Sequence, residues 1–321
     1  MAKMDLRVRL LGALLGLGPS VTGMTDEQLT ARQPKSLPRN KIVDYLLGSR
    51  ASGIITSDLT AAGAEDRIGI RVYRPMHARE PLPLVVHIHG GGWIGGNLDM
   101  GDWLCGRVAK EVRAVVVSLD YRLAPIHRFP AAVEDCYAAL LDLVDRAADL
   151  GADPNRIAVM GDSAGGNLAA VTCLLARDRS GPQISFQGLI YPGTDLTLGS
   201  ESLRTNAEAP VITTREILRM REAYLGGEDP ANPLASPLKA ATHEGLPPAL
   251  IQVAEHDPIR DDGVRYAAAL RAAGVPVRST TYVGMPHGFV AFPNICRSAP
   301  QALAELCEEL SAALVPARVA D

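Results

Sequence analysis

Residues 156–168 read Arg-Ile-Ala-Val-Met-Gly-Asp-Ser-Ala-Gly-Gly-Asn-Leu, and this stretch constrains the fold more than any other. An apolar run at 157–160 is followed, from Gly165 onward, by Leu168, Ala169, Val171 and Leu175 at helical spacing. A strand therefore passes into a helix across a very short turn with Ser163 at its tip. Gly161 and Gly165 flank that serine, and a reversal this sharp leaves no space for a Cβ two residues to either side. The turn also aims the N-terminus of the new helix at whatever Ser163 meets, so backbone N–H groups face any negative charge that develops there. Taken alone, the motif suits either a nucleophilic serine or a glycine-rich turn that binds an anion or simply packs closely.

Composition removes several alternatives. A net charge of -4 over 321 residues gives no electrostatic footprint for nucleic acid or an anionic membrane surface. The five cysteines, at 105, 136, 173, 296 and 307, show no Cys-x-x-Cys spacing. They read as small buried hydrophobes in a reducing compartment, which places the chain in the cytoplasm and argues against a disulfide or zinc framework. Lys3, Arg7 and Arg9 precede an apolar run at 10–18, a pattern that resembles a short signal peptide. That run is broken by glycines and lacks an Ala-x-Ala cleavage site. Leu6, Val8, Leu10, Leu11, Leu14 and Leu15 instead mostly fit one helical face, expected to pack on the domain rather than to lie on a membrane. No run approaches the length of a membrane-spanning helix.

Along the chain, residues 1–50 read as helical and irregular. Strands are expected at 69–73, 84–89, 114–119, 184–190, 249–254 and 277–283, and helices at 131–150, 261–273 and 300–314. Repeated alternation of apolar strands with helices predicts an α/β fold, with a mostly parallel central sheet covered by helices on both faces. Residues 192–246 interrupt the alternation with prolines, glycines and one helical stretch at 214–225, and they read as an insertion that forms part of a lid.

Three more stretches carry chemistry. His89-Gly90-Gly91-Gly92-Trp93 lies at the C-terminal end of the strand at 84–88, where sites collect in parallel sheets. Its successive glycines permit close approach and expose N–H groups, as an oxyanion hole requires, whereas no Gly-Lys-Ser/Thr follows to suggest a phosphate loop. His87 and His89 are expected to project from opposite faces of that strand and so not to share a metal. The acidic stretch 255–262 directly follows the strand at 249–254. Asp257 is chosen there as the acid of a catalytic triad, since it lies close to the strand end and before Pro258. Asp261 and Asp262 are explained by capping of the next helix. His287, within Gly284-Met285-Pro286-His287-Gly288-Phe289, follows the last strand. The chain order Ser163, Asp257, His287 is that of α/β-hydrolases.

Taken together, His89-Gly90-Gly91-Gly92-Trp93, residues 120–125 and 129–132, Gly161-Asp162-Ser163-Ala164-Gly165-Gly166, residues 257–261 and His287-Gly288-Phe289 resemble the hormone-sensitive-lipase-like branch of the α/β-hydrolases, the bacterial family IV carboxylesterases. The resemblance runs from about residue 67 to 315. It implies that Ser163 is the nucleophile, His287 the general base and then acid, and Asp257 its orienting partner. The N–H groups of Gly91, Gly92 and Ala164 would form the oxyanion hole, with His89, Gly90 and Asp162 supporting the two loops. An aromatic content of only 4% and the lack of a second long hydrophobic surface segment favour short- to medium-chain acyl esters over long triglycerides as substrates, and a mechanism of this kind requires no cofactor and no metal. The resemblance also implies a helical cap made of residues 1–50 and the 192–246 insertion over a catalytic domain at 51–321. One departure is Ile126, where the family carries a glutamate, which puts loop support near the elbow in doubt. A receptor that keeps the fold without turnover, and an amidase or lactonase using the same residues, are the rival readings, and the oligomeric state, a homodimer included, stays open.

Overall fold

A computed structural model describes residues 4–33, 36–37, 40–79 and 81–314. Three helices, α1 (Leu6–Leu15), α2 (Asp26–Ala31) and α3 (Lys41–Leu47), precede strands β1 (Ile54–Ala62), β2 (Arg67–Pro75) and β3 (Leu82–Ile88). Alternation then runs through α4 (Asp102–Glu111), β4 (Val115–Asp120), α5 (Ala131–Asp145), β5 (Ala152–Asp162), α6 (Ala164–Asp178) and β6 (Phe186–Ile190). Helices α7 (Ser202–Thr205) and α8 (Thr214–Leu225) fill the insertion, and β7 (Ala249–His256), α9 (Arg260–Ala272), β8 (Val277–Pro286) and α10 (Ala299–Leu314) close the chain.

Among the described residues eight strands form one sheet in the order β1-β2-β4-β3-β5-β6-β7-β8. β1 and β2, and β2 and β4, pair antiparallel, and every pair from β4 to β8 is parallel. All seven residues of β3 are buried, as a strand covered on both faces requires. The period-2 geometry divides these strands between two cores. Leu84, Val86, Ile157 and Val159 pack with α5, α6 and α9 on one face. Val85, Val116, Ala158 and Met160 pack with α4 and α10 on the other. Each fully buried leucine or isoleucine contributes about 1.5–3 kcal/mol, so the elbow strand β5 is held from both sides. The carboxyl ends of β3, β5, β7 and β8 consequently share one rim.

Strand β1 and helix α4 fall outside the sequence expectations. β1 is an edge strand with five of its nine residues exposed and four polar ones breaking its middle, so it carries no sustained apolar run to read. Its pairing with β2 is reinforced by Arg71, which reaches Asp58 at 2.6 Å and continues to Asp99 at 2.7 Å and Asp102 at 3.0 Å. That network anchors the segment leading away from the glycine loop after β3. Helix α1 also departs from expectation. Only Val8 and Leu11 are buried, while Leu6, Leu10 and Leu14 are about 60% exposed. At 100° per residue these two groups lie more than a quarter-turn apart, so the six apolar positions span a wider arc than one packed face.

Residues 1–50 and 192–246 meet directly. Arg219 on α8 donates to the Met24 carbonyl at 3.0 Å and pairs with Asp26 at 2.5 Å, and Ser20 donates to Glu216 at 3.0 Å. Helix α8 begins with a capping box between Thr213 and Glu216. The five cysteines are all buried thiols. Among the described residues no helix is long and apolar enough to cross a membrane.

Candidate active site

Ser163 stands between β5 and α6 with φ 55° and ψ -119°, in the left-handed region that a serine rarely occupies. The strain is held from both sides: its N–H donates to the Ile190 carbonyl at 2.9 Å, and its carbonyl accepts from Asn167 N–H at 3.0 Å. The side chain is thereby pushed out of the sheet at the rim. Gly165 makes this possible, since a Cβ there would lie 2.0 Å from the Ile88 carbonyl oxygen.

His287 follows β8 and Asp257 follows β7, and both are nearly inaccessible, at 5% and 0% exposure. The imidazole bridges them: Nε2 lies 2.8 Å from Ser163 Oγ and Nδ1 lies 2.7 Å from Asp257 Oδ2. The second carboxylate oxygen, Oδ1, accepts the Ile259 N–H at 2.9 Å, so Asp257 cannot rotate away from the ring. Tyr191 packs against the imidazole with ring centroids 4.8 Å apart. Asn206, in the insertion, donates to the Asp257 carbonyl at 3.0 Å and ties the acidic loop to the segment above it.

The glycine loop lies opposite. Gly91 has φ 127° and Gly92 φ 62°, conformations that direct their amides along a path other residues avoid. Gly92, Ser163 and Ala164 line one small cavity, so the loop and the helix start face the same space. Asp162 joins the two loops by accepting the Gly90 N–H at 3.1 Å. His89 is fixed from below: Nδ1 bonds the Gly90 carbonyl at 2.8 Å, its ring stacks on Tyr121 at 4.5 Å, and the Tyr121 hydroxyl donates to its carbonyl at 2.9 Å.

All nine residues singled out in the sequence therefore converge on one rim, and three expectations are corrected. His87 and His89 do not point apart. Residues two apart on a strand share a face, and both line a small space beneath the glycine loop together with Asp162. His87 turns Nδ1 to Ser118 at 2.9 Å. Asp261 and Asp262 do not cap α9, whose N-cap position is Ile259 without a side-chain cap bond. Asp261 instead accepts the Ser202 N–H at 2.9 Å, and Asp262 lines the cavity beside Ser163. Ile126 is 58% exposed, and the turn it occupies is held by Phe129 N–H on the Tyr224 carbonyl at 2.9 Å. Sequence reading also missed Met220 on α8, whose sulfur lies against Gly92, and Trp93, stacked on Tyr224 at 4.6 Å. The spacing of α8 placed a helix there without saying which face it lowers toward the serine. Among the described residues no cluster of three or more histidine, cysteine, aspartate or glutamate side chains could hold a metal ion.

Burial gives His89 a measurable signature. Its surroundings pull the imidazole from 6.5 down to about 4, chiefly because burial penalises the charged ring. Between those two values the unfolded chain takes up a proton that the folded chain refuses. The stability conferred is fully present above pH 6.5 and is lost as pH falls toward 4, by about 3 kcal/mol for a shift of this size. Urea unfolding at pH 7 and at pH 4 should show that loss in the wild type and a shallower one in His89→Asn. Equal slopes would mean that His89 takes up its proton in the folded state.

A family profile described as alpha/beta hydrolase fold matches residues 85–291. The chain belongs to the α/β-hydrolase fold family. It is 46% identical over 239 residues to the carboxylesterase NlhH of Mycobacterium tuberculosis, covering 73% of this chain and 75% of that one. An arylesterase of Saccharolobus solfataricus is 36% identical over 257 residues, covering 79% of this chain and 83% of that one. The solved structure of a hyperthermophilic esterase from the archaeon Pyrobaculum calidifontis superposes with a TM-score of 0.87 at 36% identity, covering 97% of this chain and 99% of that one. The α/β-hydrolase fold, the hormone-sensitive-lipase-like branch and an enzyme of the carboxylic ester hydrolase class, all expected from the sequence, are borne out by these matches.

Proposed function

We propose that this enzyme is a serine carboxylesterase of short- to medium-chain acyl esters, working through Ser163, His287 and Asp257. The observation that carries the reading is the unbroken hydrogen-bond chain from Ser163 Oγ through both ring nitrogens of His287 to Asp257 Oδ2, at 2.8 and 2.7 Å. A serine hydroxyl is too weak an acid to attack an ester unaided, so His287 Nε2 takes its proton as Oγ adds to the carbonyl carbon. Asp257 holds the ring in the tautomer with its proton on Nδ1 and stabilises the imidazolium that forms. The carbonyl oxygen becomes an oxyanion that the N–H groups of Gly91, Gly92 and Ala164 receive. His287 then protonates the departing alcohol oxygen, leaving an acyl group on Ser163. Water, deprotonated by the same imidazole, adds to the acyl carbon, and the imidazolium returns that proton to Ser163 Oγ as the acyl–Oγ bond breaks and the acid leaves.

Residues 1–50 and the 192–246 insertion form the cap over this site in the same reading, joined by the Arg219 and Ser20 contacts and carrying Met220 down to Gly92. The cavity beside Ser163 measures about 30 Å³, enough for about two water-sized groups at the ~10–15 Å³ each needs. That size supports the short end of the acyl range. In a p-nitrophenyl ester series, kcat/KM should be highest between acetyl and butyryl and should fall at least ~10-fold by decanoyl, since chain beyond the cavity's capacity must overpack it at a cost of about 1–3 kcal/mol. A rise toward long chains would reject the short-acyl assignment. An organophosphonate that labels Ser163 in the wild type, with no adduct in Ser163→Ala, tests the nucleophile directly.

A further inference from the structure

The cavity beside Ser163 is walled mainly by Leu196, Leu198, Ile217, Met220 and Ile259, yet one ionisable side chain, Asp262, stands among its described lining residues. Asp262 is 1% exposed. Its Oδ2 accepts the Asp195 N–H at 3.3 Å, whereas Oδ1 has no hydrogen-bond partner among the described residues. Trp93 lines the same cavity, and its indole N–H is likewise buried without a partner. Leaving such groups unsatisfied carries a desolvation penalty, which a ligand carrying a complementary atom would remove.

Resting on the catalytic reading above, we propose that Asp262 is a specificity-determining residue. Its carboxyl group donates a hydrogen bond to a hydroxyl or ether oxygen carried on a short acyl chain, so that the site favours oxygenated acyl esters over their alkyl isosteres. Its surroundings favour the donating form. Burial, with the Asp195 and Asp257 carboxylates nearby, pushes Asp262 well above the usual carboxylate range, against the opposing Asp195 N–H and Arg265. An apolar pocket that holds a buried, unpaired donor discriminates strongly against a substrate that leaves the donor unpaired.

The test compares kcat/KM for p-nitrophenyl methoxyacetate and 3-hydroxypropionate against p-nitrophenyl butyrate, each divided by its hydroxide-catalysed rate to remove intrinsic reactivity. The wild type should favour both oxygenated esters by about 10-fold or more. Asp262→Asn keeps a donor toward the cavity and an acceptor for the Asp195 N–H, so it should retain the preference. Asp262→Leu keeps the volume without the donor and should lose it. The methoxyacetyl ester offers only acceptors, so its preference speaks for a protonated Asp262. A corrected wild-type ratio at or below one overturns the proposal even if Asp262→Leu fails to fold, as does a ratio unaltered in a folded Asp262→Leu. Absence of turnover on all three esters, together with no phosphonate adduct on Ser163, would remove the catalytic reading and this proposal with it.

Discussion

Replacing Ser163 with alanine should reduce ester hydrolysis on the order of 10⁶-fold, the loss seen when a nucleophile is removed from a Ser-His-Asp unit. Folding should be nearly untouched. Among the described residues the hydroxyl makes one hydrogen bond, to His287 Nε2 at 2.8 Å, worth about 1 kcal/mol net, and in a chain of 321 residues that shifts the melting temperature by only about 1–2 °C. The alanine still has to occupy φ 55°, so the strained turn is unchanged. A chromogenic assay beside a thermal melt separates the two effects. Turnover that survives in the folded variant would place the nucleophile elsewhere.

The second large effect concerns packing rather than chemistry. In Gly165→Ala the new Cβ would sit 2.0 Å from the Ile88 carbonyl oxygen and 2.5 Å from that of His89. Both are backbone atoms at the end of β3, in a strand buried along its whole length, so neither can step aside. Helix α6 must shift instead, and it carries Ser163 and Ala164 with it. We expect a stability loss of at least ~3 kcal/mol, at the upper end for overpacking, and a further fall in kcat of about 100-fold from displacing the reacting oxygen by roughly 1 Å. Gly23→Ala is the control, because a Cβ there meets nothing within 4 Å. A Gly165→Ala protein with wild-type melting temperature and activity would show that the elbow has slack the geometry denies it.

How far the sequence could be read depended on whether a signal was local. Strands β3 to β7 each carry a short, mostly apolar buried stretch, and the chain between them repeats at helical spacing, so the parallel sheet and its two helical layers follow from burial. The elbow was legible because its glycines are demanded by contacts one strand and one helix away. β1 escaped notice because an edge strand answers to its neighbour's backbone rather than to a core, and its exposed Ser57, Asp58 and Thr60 look like loop. The capping role expected for Asp262 failed for a similar reason. Position in the first turn of α9 says nothing about which side of the helix faces a cavity built by residues 92, 163 and 217.

By itself the sequence determined the fold class, the strand-turn-helix that carries Ser163, and the order in which Ser163, Asp257 and His287 arrive at the sheet edge, because each is encoded by periodicity and turn chemistry within a few residues. Tertiary structure alone decided that His287 lies 2.8 Å from Ser163 and 2.7 Å from Asp257, that Met220 descends onto Gly92, and that a buried carboxyl group stands in the cavity wall. Those distances join residues 30 to 124 positions apart. They are set by the packing of whole helices against a sheet, which no local window of residues contains.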